Sequence, residues 1–285
     1  MIDAHTQLYG IIGHPVKHSL SPIIHNGVFR RLEINAVYLA FEVSDLKKAI
    51  DGVRSLGLAG LSVTIPFKTE IMPLLDELDD LAAQIQAVNT LHNKAGKLIG
   101  YNTDWLGAVE ALQGKIDLPG KKTLLLGAGG AARAIAFGLK KAGGEIFIYN
   151  RSPEKGAKLA KELGAVYLTK LPITRELNPE IIINATSVGM APEDEQIPCP
   201  ISLLQEGMLV MDIVYRPWQT KLLREAKKRG CQTIDGLEML ARQAAAQTEI
   251  WTGYQPDITL IKEDLQKALA LSLSTHEASE EESKK

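Results

Sequence analysis

Thr123-Leu124-Leu125-Leu126-Gly127-Ala128-Gly129-Gly130-Ala131-Ala132 is the most informative stretch of the chain. An apolar run stops at a glycine turn, and a helix-forming run begins at once. The turn fits G-x-G-x-x-A, the dinucleotide fingerprint, directly after a strand and opening a helix. Gly127 permits the tight turn, Gly129 lets the backbone approach a pyrophosphate, and the small Ala132 lets helix and strand pack closely. The helix N-terminus adds free N–H groups and a positive dipole end for phosphates. A tight turn without a ligand is the plainer alternative, and a lone G-x-G does not exclude it.

The next strand, Glu145 to Tyr149, ends in Asn150-Arg151-Ser152, with Lys155 following. A site for NAD carries Asp or Glu near this point to accept from the ribose hydroxyls. Arg and Lys instead attract a 2′-phosphate, and Asn and Ser hydrogen-bond it, so the stretch favours NADP. The plainer alternative is a pair of solvated surface charges. Further units follow: a helix over Pro153 to Leu163, strands at Val166 to Leu168, Ile181 to Asn184 and Met208 to Asp212, and a helix over Thr220 to Arg229. Repeated strand–helix–strand units predict a parallel sheet covered by helices.

Pro119-Gly120 marks a boundary. Before it, strands are expected at Leu8 to Ile12, Val37 to Val43 and Leu58 to Ile65. Helices are expected after Ser21-Pro22 (Ser as N-cap, Pro at the first helical position), after Ser44-Asp45, and near Leu74 to Ile85. Asn93-Lys94-Ala95-Gly96 reads as a hairpin turn. Leu237 to Trp251 and Pro256 to Leu271 carry helical spacing, and the chain from Ser272 is polar and acidic.

The chain has 285 residues, 45% hydrophobic and 23% charged, with 32 Lys plus Arg against 34 Asp plus Glu. That balance speaks against a nucleic-acid binder and against extensive disorder. No secretion signal is expected at the N-terminus. The best apolar candidate for a span, Thr123 to Leu139, is interrupted by Arg133 and several glycines. Two isolated cysteines, Cys199 and Cys231, suit a reducing cytoplasm.

Two motifs before the boundary look chemical. In Gly13-His14-Pro15-Val16-Lys17-His18-Ser19-Leu20-Ser21-Pro22, the hydroxyls of Ser19 and Ser21 would point the same way in an extended segment and could hold a carboxylate. Ser21 is equally well explained as a helix cap. His14, His18 and His25 lack the spacing of a metal site, and no metal is expected. In Gly60-Leu61-Ser62-Val63-Thr64-Ile65-Pro66-Phe67-Lys68, Lys68 stands just past the carboxyl end of a strand, where α/β sheets bind ligands. A lysine there can exchange a proton with a ligand, although alone it also fits an ordinary surface position. Asp104, in Asn102-Thr103-Asp104, could pair with Lys68 for carbonyl chemistry, or cap the helix that begins near Trp105.

These residues together resemble the shikimate dehydrogenase family. His18 to Pro22, Ser62 to Lys68, Ala87-Val88-Asn89-Thr90, Gly100 to Asp104, Gly127 to Ala132, Asn150 to Ser152, Asn184 to Met190, and Asp235 to Leu240 with Gln243 occur in the family's order, from about Leu8 to Leu271. The resemblance implies an α/β protein of two domains. A discontinuous substrate domain would span 1–104 and 236–275, a Rossmann-type NADP domain 105–235, and a flexible acidic tail 276–285. It implies reversible NADPH-dependent reduction of 3-dehydroshikimate to shikimate, in chorismate and aromatic amino-acid biosynthesis, with hinge closure around the substrate. Ser19 and Ser21 would hold the substrate carboxylate, and Thr64, Asn89, Asp104, Tyr215 and Gln243 its ring hydroxyls. Lys68, assisted by Asp104, would be the acid/base or would stabilise developing charge. Gly127, Ala128, Gly129, Gly130 and Ala131, with Asn150, Arg151, Ser152 and Lys155, would hold the cofactor's phosphates. Thr186, Ile213 and Gly236 would line its adenine or nicotinamide side, and Asp80 is a further acidic candidate. The family usually has Asn where this chain has Ser62, which leaves the role of Ser62 open.

The resemblance leaves room for a quinate/shikimate dehydrogenase of broader specificity, perhaps using NAD. A non-catalytic NADP-binding regulator on the same fold is the other alternative, although retention of both Lys68 and Asp104 argues for an enzyme. The expected partner is a small molecule, with no nucleic acid and no membrane; a homodimer is compatible with the sequence.

Overall fold

A computed structural model describes residues 2–171 and 177–269. The expected acidic tail and the last two residues of the final expected helix lie outside them. The chain divides into two compact units, one of residues 1–78, 89–100 and 244–285, the other of residues 79–88 and 101–243.

The first unit is built on a six-stranded sheet. Its strands are β1 (Gln7–Gly13), β2 (Ala36–Glu42), β3 (Gly60–Val63), β4 (Glu77–Leu78), β5 (Thr90–Lys94) and β6 (Lys97–Tyr101), ordered β2-β1-β3-β5-β6-β4. β1 lies parallel to β2 and β3, but β5 is antiparallel to β3. The hairpin expected around Asn93 to Gly96 thus joins an otherwise parallel group of strands through an antiparallel pairing. Ala95 and Gly96 both have positive φ (52° and 91°), which makes the tight two-residue turn that reverses the chain between β5 and β6. Helix α1 (Ser21–Arg31) starts one residue earlier than expected. Its N-cap is Leu20, without a side-chain cap bond, and the Ser21 N–H donates instead to Ser19 Oγ at 3.2 Å. Asp45 caps α2 (Leu46–Leu56) by accepting from the Lys48 N–H, a contact worth about 1 kcal/mol in helices generally.

The helix expected near Leu74 to Ile85 breaks into a 3-10 turn (Met72–Leu74), strand β4 and the short α3 (Asp80–Ile85). Asp76 is the cause. Its carboxylate accepts from the Leu98 N–H at 2.7 Å and from the Arg54 guanidinium at 2.7 and 3.1 Å. These bonds draw the chain onto β6 before Asp79 restarts a helix by accepting from the Leu81 N–H.

The second unit carries β7 (Lys122–Leu126), β8 (Glu145–Tyr149), β9 (Val166–Tyr167), β10 (Ile181–Asn184), β11 (Leu209–Asp212) and β12 (Gln232–Ile234). They run in the order β12-β11-β10-β7-β8-β9, with each adjacent pair parallel. Both faces are covered, as a parallel sheet requires. Leu125, Ile181, Ile183 and Met211 point into one core with α4 (Asp104–Gln113), α5 (Gly130–Lys141) and α6 (Pro153–Leu163). Leu124, Leu126, Ile182 and Val210 point into the opposite core with α7 (Lys221–Lys228). Helix α8 (Gly236–Thr252) follows, and residues 258–269 are helical. Among the described residues no helix is long and apolar enough to cross a membrane.

Candidate functional site

In the first unit the candidate residues gather where β1 and β3 end. These strands are parallel, so both carboxyl ends open onto the same edge. The loops beyond them are tied together: the Thr64 N–H donates to Ile12 O at 3.0 Å, and the His14 N–H to Ile65 O at 2.9 Å. Gly13 is required here, since a Cβ would lie 2.4 Å from Thr64 Cγ2. Thr64 follows β3 at this edge, Lys68 follows the turn closed by the Phe67 N–H to Thr64 O at 2.9 Å, and Ser19 and Ser21 lie in the segment after β1, where the Ser19 N–H donates to Val16 O at 3.0 Å. Antiparallel β5 brings Asn89 to this edge, because its amino end pairs beside the carboxyl end of β3. The Val63 N–H donates to Asn89 O at 2.8 Å. The departure from a parallel sheet is thus what delivers Asn89 to the site.

Beneath these residues runs a buried polar chain that sequence reasoning missed. Tyr38 Oη donates to Ser62 Oγ at 2.5 Å, and Ser62 Oγ to Gln247 Oε1 at 2.8 Å. Gln247 Nε2 donates to Asn89 O and to Thr90 Oγ1, and Thr90 Oγ1 to Asn89 Oδ1 at 2.7 Å. Burial pushes the Tyr38 phenol well above its ordinary range, opposed by the Ser62 and Ser21 hydroxyls. The Ser62 hydroxyl therefore bridges Tyr38 and Gln247.

His25 lies in the same core, stacked on Tyr38 with ring centroids 4.4 Å apart. Burial drives its pKa down to about 3, so it is neutral. Gln247 Nε2 is committed to Asn89 and Thr90, which leaves Oε1 facing His25 Nε2 at 3.3 Å. The proton then sits on Nε2, and Nδ1 faces the Thr248 hydroxyl at 3.2 Å, which itself donates to Ala244 O. His14 is exposed beside Glu42, and His18 is exposed. Among the described residues no three His, Cys, Asp or Glu groups gather to hold a metal ion.

In the second unit Asp104 and Gln243 stand at one helix crossing. Asp104 is the first residue of α4, and Thr103 is the N-cap, which corrects the capping role expected for Asp104. The carboxylate is nearly fully buried, and the Asp104 N–H donates to Asn102 Oδ1 at 3.0 Å. Helix α8 passes so close that a Cβ on Gly107 would meet Met239 O at 2.9 Å and Gln243 N at 3.0 Å. Thr103 Oγ1 donates to Gln243 O, tying Gln243 to the start of α4.

The glycine turn lies between β7 and β8, with β10 on the other side of β7. This is the switch point at which open α/β sheets bind ligands. Gly127 has φ 118°, and a Cβ there would lie 2.8 Å from Ala185 O. Gly129 is the N-cap of α5, and a Cβ there would meet nothing within 4 Å. That open approach to a helix N-terminus fits a pyrophosphate. Ala128, Gly130 and Ala131 flank it, half-buried. At the end of neighbouring β8, Asn150 Nδ2 donates to Ser152 O, while Arg151, Ser152 and Lys155 are exposed around the start of α6. These groups fit a 2′-phosphate. Thr186 and Ile213 follow β10 and β11 on the same edge. Tyr215 lies two residues beyond Ile213, its hydroxyl pKa raised by burial. Gly236 packs against that loop, where a Cβ would lie 2.6 Å from Ile213 O. Asp80 is exposed at the start of α3, and no interaction of its side chain marks it as a contact. Burial pushes the Cys199 thiol up to about 12 and raises Cys231, which disfavours the thiolate at both.

Residues 11–91 match the shikimate dehydrogenase substrate binding domain, 109–213 the shikimate/quinate 5-dehydrogenase family, and 236–266 the shikimate 5′-dehydrogenase C-terminal domain. The chain is 47% identical over 270 residues to shikimate dehydrogenase (NADP(+)) of Thermococcus kodakarensis, covering 92% of this chain and 97% of that protein. It superposes on the crystal structure of shikimate dehydrogenase from Aquifex aeolicus with a TM-score of 0.88 at 42% identity, covering 93% of this chain and 99% of that one. The Thermus thermophilus enzyme in complex with NADP(H) and shikimate gives 0.86 at 38% identity, covering 92% and 100%.

Proposed function

The chain belongs to the shikimate dehydrogenase family, and from that premise we propose how its own residues carry out reversible NADPH-dependent reduction of 3-dehydroshikimate to shikimate. It is an NADP-dependent oxidoreductase acting on a CH–OH group. What supports the site assignment is that β1 and β3 end on one edge of the first unit, where backbone bonds tie Thr64 and Asn89 to them and the loops that follow carry Ser19, Ser21 and Lys68.

We assign substrate binding to residues 1–104 and 236–275 and cofactor binding to 105–235. Ser19 and Ser21 hold the substrate carboxylate at the start of α1, where helix N–H groups favour an anion. Thr64, Asn89, Asp104, Tyr215 and Gln243 bind the ring oxygens. Gly127 to Ala131 hold the pyrophosphate, and Asn150, Arg151, Ser152 and Lys155 the 2′-phosphate. Thr186, Ile213 and Gly236 line the cofactor's ring side. NADPH held by these residues would supply the hydride that reduces the substrate carbonyl. The Lys68 ammonium gives its proton to the carbonyl oxygen as negative charge develops there, and Asp104 assists it. In the reverse direction neutral Lys68 takes the hydroxyl proton. Asp80 is a weaker cofactor candidate. We place the enzyme in the cytoplasm, consistent with two unpaired buried thiols.

The test is kcat/KM for shikimate and for quinate, each with NADP+ and NAD+. Shikimate with NADP+ is expected to lead the other three pairs by at least about tenfold, or 1.4 kcal/mol of differential transition-state binding. Quinate or NAD+ in the lead would support the broader quinate/shikimate reading. NADPH binding without turnover of either acid would support the regulator.

A further inference from the structure

We propose that Asp212 is a positioning residue for the cofactor side of the active site, joining the loop of Thr186 to the loop of Ile213 and Tyr215. The proposal rests on the functional reading above, in which those loops line the cofactor.

Asp212 and Asn184 are the last residues of adjacent strands β11 and β10, and they are register partners. Both are fully buried. Asp212 Oδ1 accepts from Asn184 Nδ2 at 2.9 Å and from the Val214 N–H at 3.0 Å. Its Oδ2 accepts from the Thr220 hydroxyl at 2.7 Å, and Thr220 in turn caps α7. On the other side, Asn184 Nδ2 also donates to Val188 O, while Asn184 Oδ1 accepts the Thr186 N–H and hydroxyl at 3.1 and 2.6 Å. The Val188 N–H closes the loop onto Thr186 Oγ1. One carboxylate–amide pair thus holds the first turn of both loops.

A buried carboxylate is costly unless its oxygens are satisfied. Burial raises the pKa of Asp212 to about 6, opposed by the bonds from Thr220, Val214 and Asn184. No step assigned above uses Asp212 as acid or base, so its value lies in geometry. The loop beyond it is fastened twice more. Gly236 packs on the carbonyls of Ile213 and Val214, and Trp218 Nε1 donates to Asp235 Oδ2 at 2.9 Å. Displacing the Asp212 end moves Thr186 and Ile213 together, and misplacement of about 1 Å suffices for large losses in rate.

The experiment uses the full chain with Asp212→Asn, Thr220→Val and Thr220→Ser. Asp212→Asn keeps the size but turns one acceptor into a donor, facing either the Thr220 hydroxyl or the Asn184 amide. NADPH affinity of the substrate-free protein is read by tryptophan-to-NADPH energy transfer, alongside kcat, both KM values and the melting temperature. Asp212→Asn is expected to weaken NADPH binding by about tenfold and to lower kcat, with a smaller rise in the shikimate KM through Tyr215. Thr220→Val is expected to show a smaller loss in the same direction, and Thr220→Ser to restore wild-type affinity. If Asp212→Asn does not fold, the two Thr220 variants carry the test. Unchanged NADPH affinity and kcat, with only a lower melting temperature, would overturn the proposal. Absence of shikimate turnover in the wild type, with NADPH affinity still responding to Asp212→Asn, would instead overturn the functional reading and leave the positioning role standing.

Discussion

Ser62, whose role the resemblance leaves open, has a hydroxyl with two partners. It accepts from Tyr38 and donates to Gln247, in the layer directly under the substrate edge. Removing it leaves a buried phenol without its acceptor and a buried amide oxygen short of a donor. Ser62→Ala is therefore expected to destabilise the fold by about 1–3 kcal/mol, the cost of buried polar groups left unsatisfied. Urea denaturation checks this, and a change within about 0.5 kcal/mol would mean that the chain through Ser62 carries little. The same residue marks the limit of what the sequence discloses. Ser62 is visible as an oddity in a motif, but its partners lie 24 and 185 positions away. Tyr38 reads as an alternating strand residue and Gln247 as one polar position on a helix. Nothing local says that they meet.

The glycine turn is the opposite case, because its meaning is local. Strand, turn and helix are adjacent in sequence, and each glycine has a separate steric reason. Gly127 has no room for a side chain, whereas Gly129 has room that only a ligand's approach would need. Gly129→Ala is expected to keep the melting temperature and to weaken NADPH binding by about tenfold, 1.4 kcal/mol of lost contact. Unchanged affinity in a titration would make the turn merely structural. The parallel sheet around it was equally legible, since buried parallel strands are continuous apolar runs such as Leu124 to Leu126 and Ile181 to Ile183. The first unit was less so. The Asn93 to Gly96 turn disclosed the hairpin, but not that its first strand would pair antiparallel with β3. The Asp76 bonds that cut an apparent helix into strand and turn are contacts at separations of 22 residues.

Across the molecule, two buried ionisable groups pull stability in opposite directions with pH. His25 has a folded pKa near 3, below its usual 6.5. Between those values the unfolded chain binds a proton that the folded state refuses. Its contribution is present above pH 6.5 and is lost as pH falls toward 3, by at most about 1.4 kcal/mol per pH unit. Asp212 has a raised folded pKa, so its contribution is full below 3.8 and is lost as pH rises through about 6. His25→Gln is expected to lower the melting temperature at pH 7 and to flatten its decline between about pH 6.5 and 4. An unchanged slope in a pH series of thermal melts would remove His25 as the source of acid sensitivity. The proposed proton transfer rests on a different group, Lys68. Lys68→Ala, assayed beside wild type by NADP+ reduction at 340 nm with shikimate, tests the proposed proton transfer. A fall in kcat of about 10²-fold or more, with the shikimate KM within a few-fold, is the predicted result. Wild-type kcat in the variant would contradict Lys68 as the proton donor, and no shikimate-dependent change in either protein would contradict the enzyme.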